Sequence, residues 1–262
     1  MVLPTSGNII LSEIQEEFGG SNPASLSEYY RGGANVSDVP RHSAIPSSGT
    51  IGVSDFYGQQ YLPPFSANII FAGSVGNGTT IDLSSFMTTP TSHVVIALFY
   101  SAGTNQGGQR PAIADMNGVP MDSLQMEYSW ARDDIYTARV CSAAAPAGSA
   151  ASVVIGTNTT YAVAYEFVGL TDVASAVTDT AAVWDHTTGD VYISRPITVD
   201  TTSTSVVLAT FIGGTASSST FDVESDTGTF LSGLDLSPDV GTATYSGGNL
   251  LSMLIAIDKN LA

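Results

Sequence analysis

With 262 residues the chain is long enough for one large β domain and a small accessory module. It carries 24 acids against 7 bases, a formal charge of −17, yet only 12% of its residues are charged. Such a chain lacks the Lys and Arg that displace phosphate counterions or attract anionic headgroups. Nucleic acid and an anionic membrane surface are therefore disfavoured, and protein or a neutral or cationic glycan is left as partner.

Lys259 is the only lysine, and Ser, Thr, Gly and Ala fill the remaining positions, which argues against a helical body. Cys141 stands alone, so neither a disulfide framework nor a thiolate metal site is expected, and its apolar neighbours predict a small buried residue. Met1 leads directly into a proline and a turn, which predicts no secretory leader. No apolar run approaches the roughly 20 residues of a membrane helix.

Residues 4–58 say the same thing twice. Pro4-Thr5-Ser6-Gly7-Asn8-Ile9-Ile10-Leu11-Ser12-Glu13-Ile14 returns as Pro46-Ser47-Ser48-Gly49-Thr50-Ile51-Gly52-Val53-Ser54-Asp55-Phe56. Between them, Leu26-Ser27-Glu28-Tyr29-Tyr30-Arg31-Gly32-Gly33 repeats the second half of the unit. The pattern predicts a Ser-Gly turn, a short strand at Ile-x-Leu or Ile-x-Val, and a helix capped by the serine hydroxyl, with the acid at the positive helix end. Glycines 19–20, 32–33 and 58 are expected to stop each short helix. The unit contains no catalytic chemistry and has the character of an adaptor.

The run Leu11-Ser12-Glu13-Ile14-Gln15-Glu16-Glu17-Phe18-Gly19-Gly20 with Ser6-Gly7 ahead of it, then Asn22-Pro23, Leu26-Ser27-Glu28-Tyr29-Tyr30-Arg31-Gly32-Gly33 and Val53-Ser54-Asp55-Phe56-Tyr57-Gly58, resembles a segment found in tailed-bacteriophage virion proteins, mostly tail, fibre, neck or other accessory components. The resemblance covers about the first 60 residues. It implies a docking module placed before a variable β domain, other virion proteins as partners, and a virion assembled in the bacterial cytoplasm. Phe18, Tyr29, Tyr30, Arg31, Phe56 and Tyr57 are the docking or interface candidates, although the aromatics would equally serve as the core of so small a module.

Residues 61–65, with Pro63-Pro64, read as an extended linker between a module at 1–60 and a domain at 66–262. Strands are predicted at 68–72, 80–83, 93–100, 135–140, 151–155, 161–168, 191–193, 205–212 and 250–257. The apolar run 93–100 is continuous, which marks a strand covered on both faces. This density of strands between Gly, Ser, Thr and Asn turns predicts a mainly β fold: an antiparallel β-sandwich of jelly-roll type behind a mixed module of short helices and strands. Residues 101–134 and 213–248 are long for connections and are expected to hold further strands or a functional rim.

No cofactor or metal is expected. Asp222, Glu224 and Asp226 have calcium-loop spacing, but Gly233 stands where the closing glutamate should be, so the run reads as an acidic β turn. His42, His93 and His186 lack ligand spacing. Trp184-Asp185-His186 with Asp190 could be imagined as a catalytic stretch, but no hydrolase, P-loop or zinc-protease motif accompanies it; a glycoside hydrolase, which needs only two carboxylates, stays as the residual enzymatic alternative. Residues 101–134 gather Arg110, Tyr128, Trp130 and Arg132 with Gln106, Gln109, Asp115, Asn117 and Asp133, just after Tyr100. Aromatic faces beside planar polar groups suit a subunit interface first and a host surface glycan second. The expectation is a non-enzymatic, homo-oligomeric virion component. A glycan receptor-binding module and a capsid decoration protein are the alternatives.

Overall fold

The computed structural model describes residues 3–36, 38, 42–59, 61, 65–83, 93–102, 111–131, 134–144, 152–170, 172–184, 196–213, 221–227, 230–238, 240–246 and 251–259. The chain forms two compact units that meet in sequence at Phe65 and Ser66.

The first unit is built on α1 (Leu11–Phe18) and two 3-10 helices, Leu26–Tyr29 and Val53–Phe56. Its core is Leu3, Ile9, Ile14, Phe18, Tyr29, Val36, Ile45 and Phe56. Three of these are repeat mates of other buried or packed residues: Leu3 with Ile45, Ile9 with Ile51, and Ile14 with Phe56. The predicted strands at Ile9–Leu11 and Ile51–Val53 do not form; those residues run extended straight into the helices. Nor do Ser12 and Ser54 cap. The positions before the helices are Ile10 and Gly52, which have no side-chain acceptor, and the third helical residue reaches back instead. Glu13 Oε2 accepts the Ile10 N–H and Asp55 Oδ2 accepts the Gly52 N–H, each at 2.8 Å, which is one half of a capping box. Gly19 ends α1 at φ 79°, a conformation that suits glycine, and its N–H returns to the Gln15 carbonyl. Tyr61 belongs here too, its N–H on Glu17 Oε1 at 2.8 Å and its ring edge-on to Phe18.

The second unit is antiparallel β throughout its described ladders. Its first half runs β1 (Ser66–Ser74), β2 (Thr80–Asp82), β3 (His93–Ala102), β4 (Asp115–Met116), β5 (Val119–Pro120), β6 (Asp122–Ala131), β7 (Asp134–Ala144), β8 (Ser152–Val154) and β9 (Tyr161–Val168). A one-turn helix, α2 (Val173–Ala176), leads into the second half. That half runs β10 (Val177–Trp184), β11 (Pro196–Thr201), β12 (Ser205–Ile212), β13 (Val223–Asp226), β14 (Phe230–Asp235), β15 (Gly241–Ser246) and β16 (Leu251–Asp258). The strands at 101–134 and 213–248 are those anticipated in the long connections; β10 and β11 come without forewarning from the sequence, and 191–193 lies outside the described residues.

In the first half, sheet β1-β9-β3-β7-β6 faces sheet β2-β8-β4-β5. Without β6 this is the jelly-roll order: strands one, eight, three and six in one sheet and two, seven, four and five in the other. Val94, Ile96, Leu98 and Ala164 of the larger sheet pack on Ile81, Met116 and Val153 of the smaller. In the second half, sheet β10-β16-β12-β14-β13 faces the pair β11-β15, and Val207, Ala209, Phe211 and Leu254 pack on Ile197, Val199, Ala243 and Tyr245.

The backs of the two five-stranded sheets are also buried. Val95, Tyr165 and Phe167 on one side and Leu208, Ile255 and Ile257 on the other are fully enclosed. The Tyr165 hydroxyl donates to Ser232 Oγ at 2.7 Å, and the Phe230 ring lies 5.6 Å from Tyr161 and 5.4 Å from Phe99. The β unit is therefore four layers: two sandwiches back to back, where a single two-layer sandwich was expected. That is why β9, β12 and β16 are buried at every residue whereas outer β11 alternates exposed and buried. At about 1.5–3 kcal/mol per fully buried large apolar side chain, this doubly covered middle holds the fold. Among the described residues no helix is long and apolar enough to cross a membrane.

Candidate functional site

The module's repeat is a clamp. Each copy of the unit (Leu11–Gln15, Leu26–Tyr30, Val53–Tyr57) buries its fourth residue, Ile14, Tyr29 or Phe56. In two copies a tyrosine follows. The Tyr30 hydroxyl donates to the Gly49 carbonyl, and the next N–H, of Arg31, donates to the Pro46 carbonyl at 3.0 Å. Tyr57 does the same to Gly7, and the next N–H, of Gly58, donates to Pro4 at 3.0 Å. Pro4 and Gly7 are the repeat mates of Pro46 and Gly49. Two equivalent clamps thus grip two equivalent Pro-x-Ser-Gly turns, and the second joins the end of the module to its beginning. The first copy has Gln15 in place of tyrosine and continues as helix.

This geometry sorts the docking candidates. Phe18, Tyr29 and Phe56 are core residues, not surface anchors: Phe18 and Tyr29 meet Phe56 edge-on at 5.9 and 6.2 Å, and the Tyr29 hydroxyl donates to the Gly19 carbonyl. Burial, with Glu28 nearby, raises the Tyr29 pKa. Tyr30 and Tyr57 reach the surface but spend their hydroxyls on the clamps. Arg31 is ion-paired with Asp38 at 3.5 Å; Arg41 lies outside the described residues. Among the described residues, the large apolar groups that the module turns outward are Ile10, 59% exposed, with Val53, Tyr57 and Tyr61. Sequence reasoning passed over Ile10 and Val53. The signal was present in Ile9-Ile10-Leu11, three consecutive aliphatics of which one turn of helix start can bury only some.

The recognition stretch is less of a unit than its composition promised. Tyr100 lies in β3, two residues before its end, and is almost buried. Asn117 occupies the two-residue turn between β4 and β5 at φ 50°, and its Oδ1 accepts both the N–H and the hydroxyl of Ser152, at 2.9 and 3.1 Å. Tyr128 and Trp130 lie on β6, in register with Thr137 and Ile135 of β7. Arg110, Arg132, Gln106, Gln109 and Asp133 lie outside the described residues, as do Asp185, His186 and Asp190. A shallow groove of about 330 Å³ opens beside the β4–β5 turn, walled by Met116, Val119, Pro120, Asp122 and Ser142. Its described wall has one charge and no aromatic face on which a sugar ring could stack.

Among the described residues no three His, Cys, Asp or Glu side chains come together as metal ligands. Asp222 Oδ2 accepts the Leu236 N–H at 2.7 Å, and Glu224 and Asp226 are residues of β13 rather than of a turn. Cys141 is fully buried, and desolvation pushes its thiol up to about 11, the state of a packing residue rather than a nucleophile. No protein-family model matches the chain, and no curated protein or solved structure matches it either.

Proposed function

We propose that the chain is a non-enzymatic structural component of a tailed-phage virion, a tail, fibre, baseplate or collar protein. Its N-terminal module docks onto a neighbouring virion protein and its β unit is the part displayed. The observation that carries this reading is the repeated unit itself. Tyr30, Arg31, Tyr57 and Gly58, which belong to the runs that resemble virion modules, are the residues that close the paired clamps, so the resemblance includes what makes the segment a self-contained piece. Among the outward groups of that piece are the apolar Ile10, Val53 and Tyr57 beside an acidic helix, which suits a protein surface better than an anionic one.

Electron cryomicroscopy of whole particles, with the full chain and with a chain lacking residues 1–60, tests it. Density at the tail or neck that is lost on truncation, while the β unit is still produced, supports docking by the module. Density on the head, or a truncated chain that keeps its place, overturns it.

A further inference from the structure

We infer that the β unit is a fused two-fold pair: its halves, 66–168 and 177–258, are one strand plan used twice, and each meets the other through the same surface. Nothing in this depends on the virion reading.

The plans match strand for strand. In each half the large sheet runs first strand, last strand, third strand and then a hairpin whose earlier strand lies outermost: β1-β9-β3-β7-β6 and β10-β16-β12-β14-β13. In each the small sheet pairs the second strand with the one before last, β2 with β8 and β11 with β15. The outermost strands β6 and β13 are additions to the jelly-roll order, and both halves have the same addition. Each first strand also carries one register shift against the last strand, between Ile69 and Phe71 in β1 and between Val177 and Asp179 in β10. Seven strands therefore correspond. The fourth and fifth strands of the first half have no counterpart among the described residues of the second.

The packing is reciprocal. In the matching, β1 corresponds to β10, β3 to β12, β6 to β13, β7 to β14 and β9 to β16. Strand β1 lies against β13, and β10 against β6. Tyr161 of β9 meets Ser225 of β13, and β16 lies against β6. Tyr165 of β9 bonds Ser232 of β14, and β16 lies against β7. Phe99 of β3 packs on Phe230 of β14, and β12 lies against β7. Every one of these contacts has its mirror contact. That is the mark of an isologous interface, in which residue set i meets j and j meets i.

A side-by-side repeat joined head to tail would not return each contact in exchange. The alternative that both halves are merely similar sandwiches in chance apposition does not account for four exchanged pairs. The likeness does not reside in residue identity: Val94-Val95-Ile96-Ala97 resembles Val206-Val207-Leu208-Ala209, yet Val94 and Ile96 face their sandwich core whereas Val207 and Ala209 face theirs. The resembling residues are one position out of phase, so strand order and interface carry the correspondence.

The surface on the back of each large sheet thus fits one kind of partner, a second jelly roll of the same plan, and the chain supplies that partner to itself. Self-association of the whole protein must then use the outer sheets or the module, since the large apolar faces are already occupied.

The test is a protease site inserted between Val168 and Asp172 of the full chain and cut after folding. The two pieces are expected to co-elute at the size of the intact protein, and their melting midpoint should fall on tenfold dilution, as for any dimer. Pieces that separate under native conditions overturn the inference. Should the cut protein precipitate, calorimetry of the uncut chain decides: one transition for the β unit is expected, and two independent ones overturn it. An experimental structure then tests the symmetry, because superposing the seven common strands should need a rotation of about 180°. A rotation far from that value would leave two sandwiches but no two-fold pair.

Discussion

Asp55 holds the Gly52 N–H at 2.8 Å, so Asp55→Ala frees one donor at the start of a helix only four residues long. A lost cap bond of this kind costs about 1 kcal/mol, or roughly 4–8 °C in the melting temperature of a domain of this size. Circular dichroism of residues 1–65 melting within the full chain should show that loss, while Ser54→Ala should leave the midpoint in place because Ser54 does not cap. Tyr57→Phe removes the hydroxyl from the Gly7 carbonyl and is expected to cost about 0.5–1.5 kcal/mol, read as faster amide exchange at Gly58. In the β unit the informative residue is Cys141. Burial pushes its thiol from the usual value near 9 up to about 11, so between about pH 9 and 11 the unfolded chain has lost a proton that the folded chain keeps. Stability therefore falls as pH rises through that window, by roughly 2–3 kcal/mol in total, and is unaffected below it. Melting curves from pH 8 to 11 should show this slope in the native chain and its reduction in Cys141→Ala.

Along the strands, hydrophobic periodicity distinguishes inner from outer layers. The alternation of β11 marks one face toward solvent, and the unbroken runs of β3, β9, β12 and β16 mark two covered faces. These runs were legible as strands at nearly their observed bounds, because a buried strand leaves its whole length in the sequence. The short strands β4, β5 and β13 were not, since runs of two to four residues satisfy a turn as readily as a strand. Between the inner sheets, Tyr165→Phe should cost about 1–3 kcal/mol by leaving the buried Ser232 hydroxyl without its partner. Adding Ser232→Ala should recover part of that cost, and urea unfolding of the four proteins in the cycle measures it. In the second sandwich, Phe221 stacks on Tyr245 at 5.5 Å and lies over Gly233, where a Cβ would come within 2.5 Å of the Phe221 ring. Gly233→Ala is therefore expected to displace that ring and cost roughly 1–3 kcal/mol, seen as a lower urea midpoint.

At the level of the whole molecule, the chain carries a formal charge of −17, and among the described residues no three potential metal ligands come together. The amino-acid sequence by itself determined the two-part organisation, the repeat that builds the module, the antiparallel β class and the identity of most inner strands. Each of these follows from spacing and periodicity within a few residues or from one segment compared with another. What only the tertiary structure decided is what lies against each face. The sequence of β9 says that both its faces are covered, but the group that meets Tyr165 is Ser232, 67 positions later. Likewise the module's aromatics were ambiguous between core and docking until Phe18, Tyr29 and Phe56 were found packed on one another, and the capping role passed from serine to acid once the helices began two residues earlier than the pattern implied. Local pattern records that a side chain is buried; the identity of its neighbour is a property of the folded chain, because strands far apart in sequence supply the covering surface.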